Sequence, residues 1–124
     1  MYCGENDISE GATPEETFES YKKLDELISQ KLPETQLVYI SMKPSMARWS
    51  LWNAYKKGNA RIASYLEGKK NRYFIDCAQV MINETGVPEG SIFIHDGLHM
   101  NTKGYERWVN LIRPTVEGLY QRNQ

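Results

Sequence analysis

Two short, unbroken apolar runs limit the fold of this chain more than any other feature. "LVYI" at 37–40 and "YFI" at 73–75 show no inward–outward alternation, so a strand built from either one buries both faces. A parallel sheet with helices on each side provides that environment, whereas an antiparallel sheet with a wet face does not.

The segments between the runs have the helical period such a sheet requires. Thr13 is placed as an N-cap, Pro14 occupies the first helical position and Glu16 completes a capping box. Phe18, Tyr21, Leu24, Leu27 and Ile28 then form an apolar stripe that Pro33 closes. A second stripe, Trp52, Tyr55, Asn59, Ile62, Ala63 and Leu66, runs as far as Gly68. A last helix is predicted from Thr102, with Tyr105, Trp108, Val109 and Ile112 inward and a kink or restart at Pro114. The order helix, strand, helix, strand, helix predicts an α/β layered fold with a parallel sheet, whose ligands bind beyond the carboxyl ends of the strands.

Composition narrows the partners. The 124 residues carry 15 basic and 16 acidic side chains, so no strong overall field invites nucleic acid or an anionic membrane. No apolar run approaches the roughly 20 residues of a membrane span, and the first residues lack a basic-then-apolar signal. The chain reads as one soluble unit, 1–124, with its compartment left open. Cys3 and Cys77 lack a CxxC pairing and adjoin apolar segments, so both are expected to be buried free thiols.

Chemistry-bearing residues collect in two stretches that both fall in loops of this scheme. In "IHDGLHMN", Asp96 can accept the Nδ1 proton of His99 across a glycine-containing turn, leaving Nε2 as a base toward a nucleophile. A plain surface turn gives the same pattern. His95 and His99 have the spacing of the zinc motif HExxH, but Gly97 interrupts the helix that motif needs and Asp96 replaces its glutamate, so no metal or other cofactor is expected. In "YCGENDI", Gly4 permits an unusual backbone angle or close approach, and the Asn6 carboxamide can face a developing oxyanion or merely cap a turn.

Taken together, Gly4-Glu5-Asn6-Asp7 and Asp96-Gly97-Leu98-His99 resemble the third and fifth sequence blocks of the SGNH (GDSL) hydrolases. "ISMKPSMARW", "YFIDCAQVMINETG" and "GLHMNTKGYERW" extend the likeness over nearly the whole chain. The resemblance implies a three-layer α/β/α flavodoxin-like fold and a serine esterase or acylhydrolase with a Ser-His-Asp triad. On that template His99 is the general base, Asp96 its orienting acid, and Asn6 and Gly4 belong to the oxyanion hole. Independently of the template, Arg48 and Trp49 lie just beyond the end of the first apolar run, where they can border the pocket, although Trp49 with Trp52 and Tyr55 also has the spacing of a core stripe. The substrate class implied is a small-molecule ester: an acylated sugar, a lipid or a small ester.

The nucleophile of that template has no counterpart here. No Gly-Asp-Ser or GxSxG occurs, and Ser9, Ser41, Ser45 and Ser91 lack a matching context. The chain resembles about the C-terminal three-fifths of such an enzyme, truncated at the N-terminus, with Met1 inside what would be the third strand. Two expectations follow: apolar surface exposed at 1–3 and 37–40, and self-association through an open sheet edge. A non-catalytic remnant or binding module of the same fold is the alternative.

Overall fold

A computed structural model describes residues 1–122. Two parallel strands, β1 (Leu37–Ile40) and β2 (Arg72–Ile75), pair in the register Leu37 with Arg72 through Ile40 with Ile75. Along the other edge of β1, Tyr2 makes a parallel bridge to Ile40, and the Ile40 amide donates to the Met1 carbonyl over 2.7 Å. The N-terminal segment thus adds a single bridge to the sheet.

Among the described residues four helices surround this sheet: α1 (Glu5–Ser9), α2 (Pro14–Lys31), α3 (Trp52–Leu66) and α4 (Thr102–Arg122), with short 3-10 turns at Trp49–Leu51, Cys77–Val80 and Gly90–Ile92. Neighbouring residues of β1 separate the two sides. Tyr39 packs with Phe18 and Tyr21 of α2 and Ile62 and Leu66 of α3, while Ile40 packs against Cys77, Met81, Ile92 and Phe93 beneath α4. Both faces are therefore covered, as the unbroken runs require, and the architecture is a three-layer α/β/α sandwich around a small parallel sheet.

α2 starts as its sequence dictates, the Thr13 hydroxyl accepting from the Glu16 amide over 3.0 Å and the Glu16 carboxylate accepting from the Thr13 amide over 3.1 Å. Its apolar stripe is only half used. Phe18 and Tyr21 are buried, but Leu24 and Leu27 are exposed, because the inward arc continues to Asp25. That carboxylate is buried against the Arg72 guanidinium, and its second oxygen accepts from Tyr65 Oη over 2.8 Å.

α4 differs from its expected orientation in a similar way. Tyr105 and Val109 are exposed, and Trp108 and Ile112 are half-buried. Gly104 is the cause: a Cβ there would lie 2.6 Å from the Ile92 carbonyl oxygen, so the helix comes close along Gly104 and Trp108 and rolls Tyr105 and Val109 outward. The helix also runs unbroken through Pro114. Pro114 and Asn110, whose carbonyl loses its partner, both lie on the solvent side.

Two further expectations are corrected. Cys77 is buried but Cys3 is exposed, since the segment carrying it passes along the open edge of the sheet. Of the apolar surface expected to be open, Tyr2 and Cys3 are exposed, yet Tyr39 is fully buried because α2 and α3 cover its face. Among the described residues no helix is long and apolar enough to cross a membrane.

Candidate active site

The loop 94–101 is shaped by its own backbone. Phe93 and Met100 form an antiparallel bridge, the Ile94 amide donates to the His99 carbonyl over 2.9 Å, and Gly97 turns the chain with a φ of 66°. The Gly97 carbonyl accepts from the Ala47 amide over 3.0 Å, which ties this loop to the one leaving β1. Asn101 closes the segment as the cap of α4: its Oδ1 accepts from the Gly104 amide over 3.0 Å and its Nδ2 donates to the Ser91 carbonyl over 2.8 Å.

Within this turn Asp96 and His99 are in direct contact. Asp96 Oδ2 lies 2.6 Å from His99 Nδ1, and Asp96 Oδ1 accepts from the amides of Leu98 at 2.9 Å and His99 at 3.0 Å. The hydrogen bond to His99, reinforced by the two amides, holds the Asp96 carboxyl well below the usual carboxylate range. An ionised carboxylate can only accept, so the proton at this contact resides on Nδ1, and in the neutral ring Nε2 carries the free lone pair. The imidazole is largely exposed, at 67% of its side-chain surface, so Nε2 is open to an incoming group.

Asn6 reaches the same place from the opposite end of the chain. Gly4 has a φ of 108° and caps α1, which turns the chain sharply where the sheet edge ends. Gly4 is buried under this turn, where a Cβ would meet Met42 Sδ at 3.0 Å and Thr17 Cγ2 at 3.1 Å. Asn6 and His99 line one cleft of about 290 Å³ beyond the carboxyl ends of the strands, together with Glu5, Lys43, Arg48 and Trp108. Arg48 Nη1 donates to Asn6 Oδ1 over 3.0 Å. Gly4 and Trp49 do not line it. Trp49 stacks on Trp52 with ring centroids 6.2 Å apart.

Glu5 and Lys43 are cleft residues that sequence reasoning passed over. Glu5 Oε1 accepts from the Lys43 amide over 2.8 Å, the Lys43 ammonium is 3.8 Å away, and the Tyr2 hydroxyl donates to the other carboxylate oxygen. Burial raises the Glu5 carboxyl and Lys43 opposes the rise. In a charged stretch Glu5 reads as solvated, and it faces inward only because α1 forms.

The four serines considered from the sequence are engaged elsewhere. Ser41 Oγ accepts from the Cys77 amide over 2.9 Å and Ser45 Oγ from the Arg48 amide over 3.2 Å. Ser9 Oγ donates to the Asn6 carbonyl over 2.9 Å and Ser91 Oγ to Glu89 over 3.1 Å. Among the described residues no serine lines the cleft, and no three His, Cys, Asp or Glu side chains gather where they could hold a metal ion.

No protein-family model matches the chain, and no curated protein matches it significantly. Solved structures do match. A carbohydrate esterase family 3 protein from Talaromyces cellulolyticus superposes with a TM-score of 0.77 at 18% identity, over 98% of this chain and 57% of its own. An acetyl esterase containing an acetate ion gives a TM-score of 0.78 at 17% identity, over 98% of this chain and 57% of its own. A GDSL-like lipase from Bacteroides thetaiotaomicron gives 0.75 at 22% identity, over 95% of this chain and 60% of its own. The chain therefore has the α/β fold of these solved esterase and lipase structures, and it spans 57–60% of their length.

Proposed function

We propose that the chain is part of an ester hydrolase with a Ser-His-Asp triad. In this reading it supplies the base His99, the orienting acid Asp96 and the oxyanion donor Asn6, and the serine comes from outside these 124 residues. The single observation that carries the reading is that the Asp96-oriented imidazole and the Asn6 carboxamide, far apart in sequence, line one cleft.

His99 Nε2 takes the proton of a serine hydroxyl as its oxygen attacks the ester carbonyl, and the imidazolium then passes that proton to the departing alcohol. Asp96 keeps Nδ1 protonated throughout and stabilises the imidazolium. The Asn6 amide hydrogens face the carbonyl oxygen as it becomes an oxyanion, a contribution of about 3 to 4 kcal/mol for one such donor. Water then attacks the acyl-serine with the same base. The substrate class is an ester of a sugar, a lipid or a small alcohol, in keeping with the esterase and lipase descriptions of the structural neighbours.

An added strand and helix carrying the serine have a place to pack: the open edge at Tyr2 and the neighbouring apolar face of α4. A second reading, a cleft that binds without reacting, is favoured by one observation, that no described serine lines it. The coding region upstream of Met1 separates the two, the enzyme requiring an in-frame Gly-Asp-Ser about sixty to ninety residues earlier for a domain of ordinary size. On protein, the enzyme reading expects the extended chain to be labelled by a serine-directed fluorophosphonate and the label to be lost in His99→Ala. An extended chain that is neither labelled nor active on esters supports the binding module.

A further inference from the structure

An asparagine can serve as an oxyanion donor only if its NH2, not its oxygen, faces the reacting carbonyl. A free carboxamide at an exposed position samples both orientations, and Asn6 is exposed. What selects one orientation is Arg48, whose Nη1 donates to Asn6 Oδ1 over 3.0 Å across 42 residues of sequence. A guanidinium has only donors, so it donates to the oxygen end of the amide and opposes the nitrogen end. Asn6 Nδ2, which has no acceptor among the described residues, is left to the cleft.

Arg48 is itself held from several sides. Its backbone amide donates to the hydroxyl of buried Ser45 over 3.2 Å, and the 3-10 turn Trp49–Leu51 starts directly after it. Its guanidinium lies within electrostatic reach of the Tyr55 hydroxyl and of the Glu5 carboxylate, and the carboxylate offsets its charge locally. A cation engaged in this way acts as a buttress for its neighbours.

We infer that Arg48 is a positioning residue for the oxyanion donor: it locks the Asn6 carboxamide with its NH2 toward the cleft and, by polarising the amide through its oxygen, strengthens it as a donor. This rests on the hydrolase reading, because it assigns to Arg48 the upkeep of a group that reading uses.

The test uses the 15N-labelled chain and reads the Asn6 side-chain NH2 directly. In the wild type this group is expected to be as ordered on the fast timescale as the α1 backbone around it, and sodium acetate, a small oxyanion, is expected to shift its resonances. In Arg48→Ala the NH2 becomes mobile and its response to acetate weakens by about tenfold or more, the loss of one charge-assisted hydrogen bond, while backbone amides away from the cleft are unmoved. Arg48→Met, which retains the aliphatic stem and removes every donor, gives the same loss of order, and it keeps the test decisive if the alanine variant does not fold. An Asn6 NH2 equally ordered in the wild type and in a folded Arg48 variant overturns the inference. Acetate that leaves Asn6 undisturbed in the wild type counts instead against the oxyanion role, because the order measurement does not depend on it.

Discussion

Asp96 and His99 show how much of a site can be local. Three-residue spacing over Gly97 places Oδ2 on Nδ1, and the same carboxylate caps two amides of the turn, so the pair forms largely from its own eight-residue loop. That is why it could be read from the chain. A depressed carboxyl binds its proton less readily in the folded state than in the unfolded one, so its contribution to stability is present above the ordinary value of 3.8 and disappears only as pH falls through the lower folded value. Carbonyl-detected NMR should therefore show Asp96 still ionised at pH values where an unperturbed aspartate has taken up its proton. In His99→Ala, which removes the largest cause of the shift, the titration should move up toward 3.8. Glu5 was not legible in this way: its inward direction depends on α1, which depends on Gly4 at φ 108°.

Among the elements, α2 and α3 could be placed from their stripes and caps because capping and helical period are properties of neighbouring residues. Their rotation could not. The inward arc of α2 includes Asp25 in place of Leu24, and the reason is Arg72, 47 residues away on β2. The roll of α4 is decided by Gly104, where a Cβ would fall 2.6 Å from the Ile92 carbonyl and 2.8 Å from Met100 Cβ. Both obstacles are close to backbone and cannot swing aside. Gly104→Ala is accordingly expected to destabilise by about 1 to 3 kcal/mol in denaturant unfolding, despite the better helix propensity of alanine. Because Asn101 caps this helix immediately after the His99 loop, the substitution should also shift the His99 ring resonances.

For the molecule as a whole, three layers close around the sheet but one side stays open. Tyr105, Val109 and Val116 are exposed along α4, and Tyr2, at the single-bridge edge, packs its ring edge-on against Trp108 at 5.2 Å between centroids. An apolar face beside an unpaired strand edge favours association. The 124-residue chain is expected to bind an apolar dye and to sediment above monomer mass at high concentration. Val109→Glu with Val116→Glu should reduce both without lowering the unfolding midpoint, since neither side chain is in the core. A doubly substituted chain that still associates would move the contact to another surface.

Periodicity, capping and two unbroken apolar runs were enough to specify α2, α3, α4, the two strands, their order and the parallel sheet, because each of these arises from residues within a turn or two of one another; α1, where a loop was expected, was not among them. The cleft was settled only by the folded chain. The meeting of Asn6 with His99, the grip of Arg48 on Asn6 and the inward turn of Glu5 all join residues that the sheet brings together. Such contacts depend on how each helix is set against its neighbours, α1 by the turn at Gly4, α4 by close packing at Gly104 and α2 by the buried Asp25–Arg72 pair, and that packing leaves no signature in local sequence.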